Sequence, residues 1–213
     1  MDKKTILLRK IRENEILEKM DEVAVEHQLT IQLKNEKKVD ITCTPSYVDE
    51  LIIGRRYLLD DLSEQELSEI LIRDNKEIPT VSLENIFRIV EEMFENPGSL
   101  FRDTGCAHSC VLVKDGEILC SMEDIGRHNA LDKVIGYAVK NQIPFAQSVI
   151  FTSGRISRDY LQKVVKAGFK IAVSRAAVTD GAVELAKDHN ITLLGFVRKN
   201  TGNLYHEGIV KIK

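Results

Sequence analysis

Three of the chain's four cysteines and two of its five histidines fall in one run, Asp103 to Lys133: DTGCAHSCVLVKDGEILCSMEDIGRHNALDK. Cys106, His108 and Cys110 alternate within it. Such spacing could hold a metal, form a redox pair or present a nucleophilic thiol. A zinc site requires three or four ligands, and a zinc deaminase shows H-x-E with a later P-C-x-x-C. Here the residue two after His108 is Cys110, and neither a P-C-x-x-C nor any C-x-x-C follows. Two readings remain open. Either a thiol acts as nucleophile or persulfide carrier, its pKa lowered by His108 or a helix terminus, or Cys106 and Cys110 are small turn and strand residues. Cys106 follows Thr104-Gly105 and is expected on an exposed turn.

A second group of residues suits anions. Three apolar runs that read as strands end in Thr152-Ser153-Gly154-Arg155, in Ser174-Arg175 and in Arg198-Lys199-Asn200-Thr201. Each places Arg beside Gly, Ser, Thr or Asn. Arg forks hold phosphate by two-point contacts, and Gly lets backbone approach a ligand. Ligands of open α/β sheets bind beyond the carboxyl ends of the strands. Three solvated arginines are the bland alternative, but their equivalent positions favour a large phosphorylated ligand such as a nucleotide. Gly126-Arg127-His128-Asn129 would add a fourth polar corner, with His128 either touching the ligand or capping its own helix.

The elements that must position these groups are legible from periodicity. EHQLTIQLKN and VDITCTPS read as strands, with Val39, Ile41 and Cys43 on one buried face. SYVDELIIGRRYLLDD reads as a helix that Ser46 can cap. VSLENIFRIVEEMFEN is an amphipathic helix capped by Ser82, with Leu83, Ile86, Phe87, Val90 and Phe94 on one face and Asn96-Pro97-Gly98 as its stop. Asp115-Gly116 between apolar runs predicts a hairpin. A two-residue loop would set Val111 opposite Cys120 and Cys110 opposite Ser121, with Cys110 and Cys120 on opposite faces. From Asn129 onward the order is helix, then strand–helix–strand–helix–strand, with Gly168 ending one helix and Thr179 capping another. This implies a mostly parallel sheet covered on both faces. A soft boundary between 70 and 81 divides a small mixed-β region, 1–80, from an α/β region, 81–213.

With 213 residues, 43% apolar and 30% charged, the chain can bury a sizeable core. Its net charge of −3 disfavours sequence-independent nucleic-acid binding. No apolar run reaches the length of a membrane span, and the start MDKKTILLRKIREN carries no signal-peptide pattern. The expectation is a cytoplasmic protein with reduced thiols.

Five stretches occur in order: T-G-C-A-H-S-C, E-D-I-G-R-H-N-A-L-D-K, F-T-S-G-R-I-S, V-S-R-A-A-V-T and L-L-G-F-V-R. Together they resemble the formate dehydrogenase accessory sulfurtransferase family, FdhD. VDELIIGRRYLLDD is similar, more weakly, to that family's E-L-x-x-G-F-L-x-x-E-G segment. The resemblance implies a cytidine-deaminase-like α/β/α domain behind a small mixed-β domain, in a cytosolic homodimer. It implies that sulfane sulfur taken from a cysteine desulfurase passes to the molybdenum (or tungsten) bis-guanine-dinucleotide cofactor destined for the formate dehydrogenase catalytic subunit. GDP-like nucleotides would mimic that cargo. By motif match, Gly126, Arg127, His128, Asn129, Thr152, Ser153, Gly154, Arg155, Ser174, Arg175, Phe196, Val197, Arg198, Lys199, Asn200 and Thr201 are candidate cargo contacts. One departure stands out. The family's C-G-x-C-G loop, whose first Cys carries the persulfide, corresponds to Ile70–Val81, which reads ILIRDNKEIPTV without Cys. Three readings follow. Cys106 or Cys110 carries the sulfur, with His108 tuning the thiol and the second Cys releasing the product; or the chain binds cargo without moving sulfur; or it keeps only the fold and binds another nucleotide.

Overall fold

Short runs of β-branched and aromatic residues, separated by amphipathic helices, assemble one central sheet. The computed structural model describes residues 1–13, 15–63 and 78–213. Strands run in chain order as β1 (Lys3–Arg12), β2 (Glu15–Ala24), β3 (His27–Gln32), β4 (Lys38–Cys43), β5 (His108–Lys114), β6 (Glu117–Asp124), β7 (Ser148–Thr152), β8 (Ile171–Ser174), β9 (Thr192–Arg198) and β10 (Thr201–His206). The described helices are α1 (Val48–Leu58), α2 (Leu83–Glu95), α3 (Ser99–Thr104), α4 (Arg127–Lys140), α5 (Arg158–Ala167) and α6 (Asp180–Asp188).

Six strands pair in the order β10-β9-β8-β7-β5-β6. Only β7, β8 and β9 are parallel; β5, β6 and β10 join antiparallel. The sheet is therefore mixed, because hairpins flank the strand–helix–strand units at both edges. One face carries α4, α5 and α6, with Leu131, Ile135, Tyr160 and Leu161 buried against Leu112, Ile150 and Ala172. The other carries α2, whose Ile86, Ile89 and Val90 cover Val111, Phe151 and Val197. Each fully buried side chain of this size contributes about 1.5–3 kcal/mol.

Several local expectations hold. Ser82 Oγ accepts from Asn85 N–H at 3.2 Å, and Thr179 Oγ1 from Ala182 N–H at 3.3 Å. Gly168 ends α5 at φ 103°. Cys43 is fully buried beside Ile31, Ile41 and Leu51. Other expectations need correction. Ser46 does not cap α1; its hydroxyl and N–H donate to Asp2, and Tyr47 takes the N-cap place at φ 56°. Along α2, Leu83 and Phe94 lie exposed, and Ile89 is buried in their stead. The Asp115-Gly116 turn forms and sets Lys114 opposite Glu117, but a bulge between Leu112 and Val113 then shifts the register. Leu112 thereby faces Cys120, Val111 faces Ser121 and Cys110 faces Met122. One extra residue flips every later side chain, so Cys110 and Cys120 point to the same face, toward α4.

The N-terminal elements lean on this core. α1 crosses α4 where Gly54 and Gly136 meet: a Cβ on Gly54 would stand 1.9 Å from Asp132 O, and one on Gly136 1.8 Å from Glu50 O. β3–β4 packs against α1, and the β1–β2 hairpin, not anticipated from the sequence, meets α3 through β2 and through the Lys3–Asp103 ion pair. Residues 70–77 of the proposed boundary lie outside the described residues.

Candidate functional site

Because β7, β8 and β9 run parallel, their carboxyl ends share one edge of the sheet. β5 starts and β6 ends at that same edge, since Cys110 pairs with Thr152 and His108 with Asp124. Topology thus collects residues distant in sequence: His108, the Gly126–Asn129 corner, Thr152–Arg155, Ser174–Arg175 and Arg198.

Small residues lock the first corner. Gly154 N–H donates to Thr152 Oγ1 at 3.1 Å, and Ser174 Oγ donates to Gly154 O at 2.7 Å. Ser109 N–H donates to Ser153 Oγ at 2.9 Å. A Cβ on Gly154 would stand 3.1 Å from Arg127 Cβ and 3.4 Å from His108 Nδ1. Glycine there lets the arginine and histidine close over the turn.

Cations then cluster in two groups. Arg127 reaches Ser157 Oγ at 3.3 Å, while its buried Nε has no partner. Burial, with Arg127 and Arg155 nearby, holds half-buried His108 below the usual histidine range. Beside them, the Arg175 guanidinium stacks over Phe94 at 3.9 Å, and Arg198 donates to Arg175 O. Burial and then Arg198 lower Arg175, so two like charges face each other there. His128 Nε2 lies 3.0 Å from Asp159 Oδ2 without hydrogen-bond geometry. Burial, then Lys163 and Arg127, push His128 down, so this is a neutral ring beside a carboxylate. The edge is short of anions, and the α4 N-terminus adds positive potential.

Further along α4 the chemistry reverses. Lys133 and Asp124 are wholly buried and 2.7 Å apart. Asp124 also accepts from Thr44 N–H at 3.0 Å, Thr44 Oγ1 at 3.1 Å, Gly126 N–H at 2.9 Å and Asn129 Nδ2 at 3.0 Å. Lys133 donates to Thr44 Oγ1 at 2.6 Å and to Glu123 O at 3.2 Å. Asn129 also donates to Thr42 O at 2.8 Å. Its Nδ2 group therefore ties β4 to the α4 start. Next to this node, buried Asp132 holds Lys163 at 2.7 Å and Arg55 at 3.1 Å.

The proposed thiols separate. Cys106 is exposed on the turn after α3, its N–H donating to Thr104 Oγ1 at 3.0 Å. Cys110 is fully buried, desolvation pushes its thiol far up, and Tyr160 OH contacts its sulfur at 3.7 Å. As placed, Cys110 can neither accept sulfur from a partner nor resolve a persulfide on Cys106. Burial likewise pushes Cys120 up to about 12. Val197 packs in the core under α2, and Lys199 turns away to Glu91 at 2.9 Å, beside Asn200 and the acidic side of α2. Thr201 pairs with Arg198 at the start of β10. Phe196 is 44% exposed at φ 52°, a costly conformation for an aromatic residue.

Sequence reasoning missed a small apolar pocket bordering Arg175, lined by Met93, Phe94, Pro97, Phe101 and Phe151 with Thr152 and Ser153. The α2 stripe pointed to it, since Phe94 continues that stripe past the helix's buried part and lies 58% exposed.

Residues 60–209 match the model of the FdhD/NarQ family. Curated relatives named sulfur carrier protein FdhD include one from Bacillus pumilus, 30% identical over 95% of this chain and 95% of its own, and one from Bacillus subtilis, 29% identical over 91% of each. The Bacillus pumilus alignment spans 250 positions against 213 residues here, so that relative has segments without counterpart in this chain. A solved structure of a candidate formate dehydrogenase accessory protein from Desulfotalea psychrophila shares the fold, with a TM-score of 0.80 at 24% identity over 95% of this chain and 96% of that one.

Proposed function

The chain belongs to the FdhD/NarQ family, and from that premise we propose that it is a sulfur carrier serving formate dehydrogenase, with Cys106 as the loaded thiol. The observation that carries the reading is the pairing of an anion-poor arginine edge with an exposed cysteine on the turn that leads into it. Arg127, Arg155, Arg175 and Arg198 hold the phosphates of a bis-guanine-dinucleotide molybdenum or tungsten cofactor as cargo. GDP stands in for half of it. The apolar pocket under Arg175 accepts a planar ring, because aromatic side chains and a stacked guanidinium favour π-faces. In this reading the α/β region, 81–213, is cytidine-deaminase-like, residues 1–80 form the smaller mixed-β domain, and the protein works in the cytoplasm as a homodimer. No described helix is long and apolar enough to cross a membrane.

Loading is a thiol–persulfide exchange. The Cys106 thiolate attacks the outer sulfur of a persulfide on a cysteine desulfurase. A new S–S bond forms on Cys106, the old one breaks, and the desulfurase cysteine leaves as thiolate. His108, neutral at neutral pH and two residues away in sequence, is the candidate base near the edge.

A second reading, in which the chain binds cargo without moving sulfur, is favoured by the cysteine-free Ile70–Val81 stretch. Intact-protein mass spectrometry after incubation with a desulfurase and cysteine separates the two. An added sulfur mapped to Cys106, absent in Cys106→Ser, supports the carrier. An unmodified chain that still binds GDP supports the chaperone.

A further inference from the structure

The β1–β2 hairpin is long, two-stranded and open on one face. A lone hairpin is marginal in water, so its exposed side chains bear on what covers it. Leu7 stands opposite Met20 and Ile11 opposite Ile16 on one face. All four are more than half exposed, Ile11 at 78%. Between the two apolar pairs sit Arg9 and Glu18, directly opposed in register, yet neither makes an ion pair with any described residue. Charge is also segregated by strand. β1, KKTILLRKIR, carries five basic residues and no acid, whereas β2, EILEKMDEVA, carries four acids and one lysine.

That segregation selects among symmetric pairings. Joining two copies edge to edge sets β1 beside β1 or β2 beside β2, like charge against like. Stacking them face to face about an axis across the strands does the same. Only stacking about an axis parallel to the strands lays each β1 over the other copy's β2. Leu7 then meets Met20, Ile11 meets Ile16 and Arg9 meets Glu18 across the interface. We propose that this hairpin face is the self-association surface of the protein, and that a second copy of the chain covers it in that parallel arrangement. The inference gives the homodimer reading above a location; it does not depend on sulfur transfer or cargo binding.

Charge exchange provides the test. Arg9→Glu and Glu18→Arg each place like charges across the interface, which should raise the dimer dissociation constant by about a hundredfold. In a mixture of the two variants every crossing pair is complementary again. Sedimentation velocity should show a dimer for the wild type, monomers for each variant alone and a dimer for the mixture. Ile11→Glu, at a site too exposed to carry folding, should be monomeric alone and in either mixture. A wild-type monomer, an Ile11→Glu dimer, or a mixture of folded charge variants that stays monomeric would overturn the proposal. GDP affinity of the monomers reports separately on the cargo site.

Discussion

Two charged regions meet near the start of α4 and are built on opposite principles. At the Asp124–Lys133 node both charges are wholly buried and every oxygen and ammonium proton finds a partner. At the arginine edge four guanidiniums and His108 gather with few acceptors, one buried Arg127 Nε unpaired and like charges facing each other. The first arrangement is closed and serves the fold. The second is open and, in the proposed reading, is completed by the phosphates of the cargo. The motif EDIGRHNALDK contributes Asp124 and Lys133 to the first and Arg127 to the second, so one stretch of chain takes part in both.

Lys133→Met should break the closed side with the largest effect. It strands Asp124 in the core, at a cost of about 3–5 kcal/mol, measurable by urea denaturation. GDP affinity of the folded fraction should change little. Arg175→Ala should do the converse. Loss of a charge-assisted contact weakens GDP binding by about 1.5–3 kcal/mol, while stability falls only by the stacking on Phe94, about 0.5–1 kcal/mol. Calorimetric titration beside a thermal melt reads both.

Gly154→Ala sharpens the comparison from within the open side. The new Cβ meets Arg127 at 3.1 Å, so the arginine must shift by a few tenths of an ångström. A few-fold loss of GDP affinity is expected, with stability nearly unchanged. The smallest effect is that of pH. His108 and His128 titrate below their unfolded value of about 6.5. Below that pH the unfolded chain binds more protons than the native one, so native stability falls as pH drops and is unaffected by these groups above it. Urea midpoints between pH 7 and 5 should show that slope, reduced in His108→Gln.

The open side was the more legible in the sequence. Strand ends carrying Thr-Ser-Gly-Arg, Ser-Arg and Arg-Lys are local patterns, and parallel topology brings them together by rule. The node was not legible, because Thr44 and Asp124 meet only through tertiary packing. The structural role of Asn129 was equally hidden, because its Nδ2 bonds to Thr42 O and Asp124 join groups far apart in sequence or in different elements. The bulge opposite Leu112 moved Cys120 to the face of Cys110, since one inserted residue leaves no mark in an alternating pattern. The β1–β2 hairpin escaped notice because both of its faces mix apolar and charged residues and blur the two-residue period.

The most direct test of the open edge is GDP titration of a chain carrying both Arg155→Ala and Arg175→Ala. A folded double variant that has lost all measurable affinity, against micromolar-range binding by the wild type, is the predicted result. Wild-type affinity in that folded variant would contradict an anion-holding role for the edge and move the cargo elsewhere on the molecule.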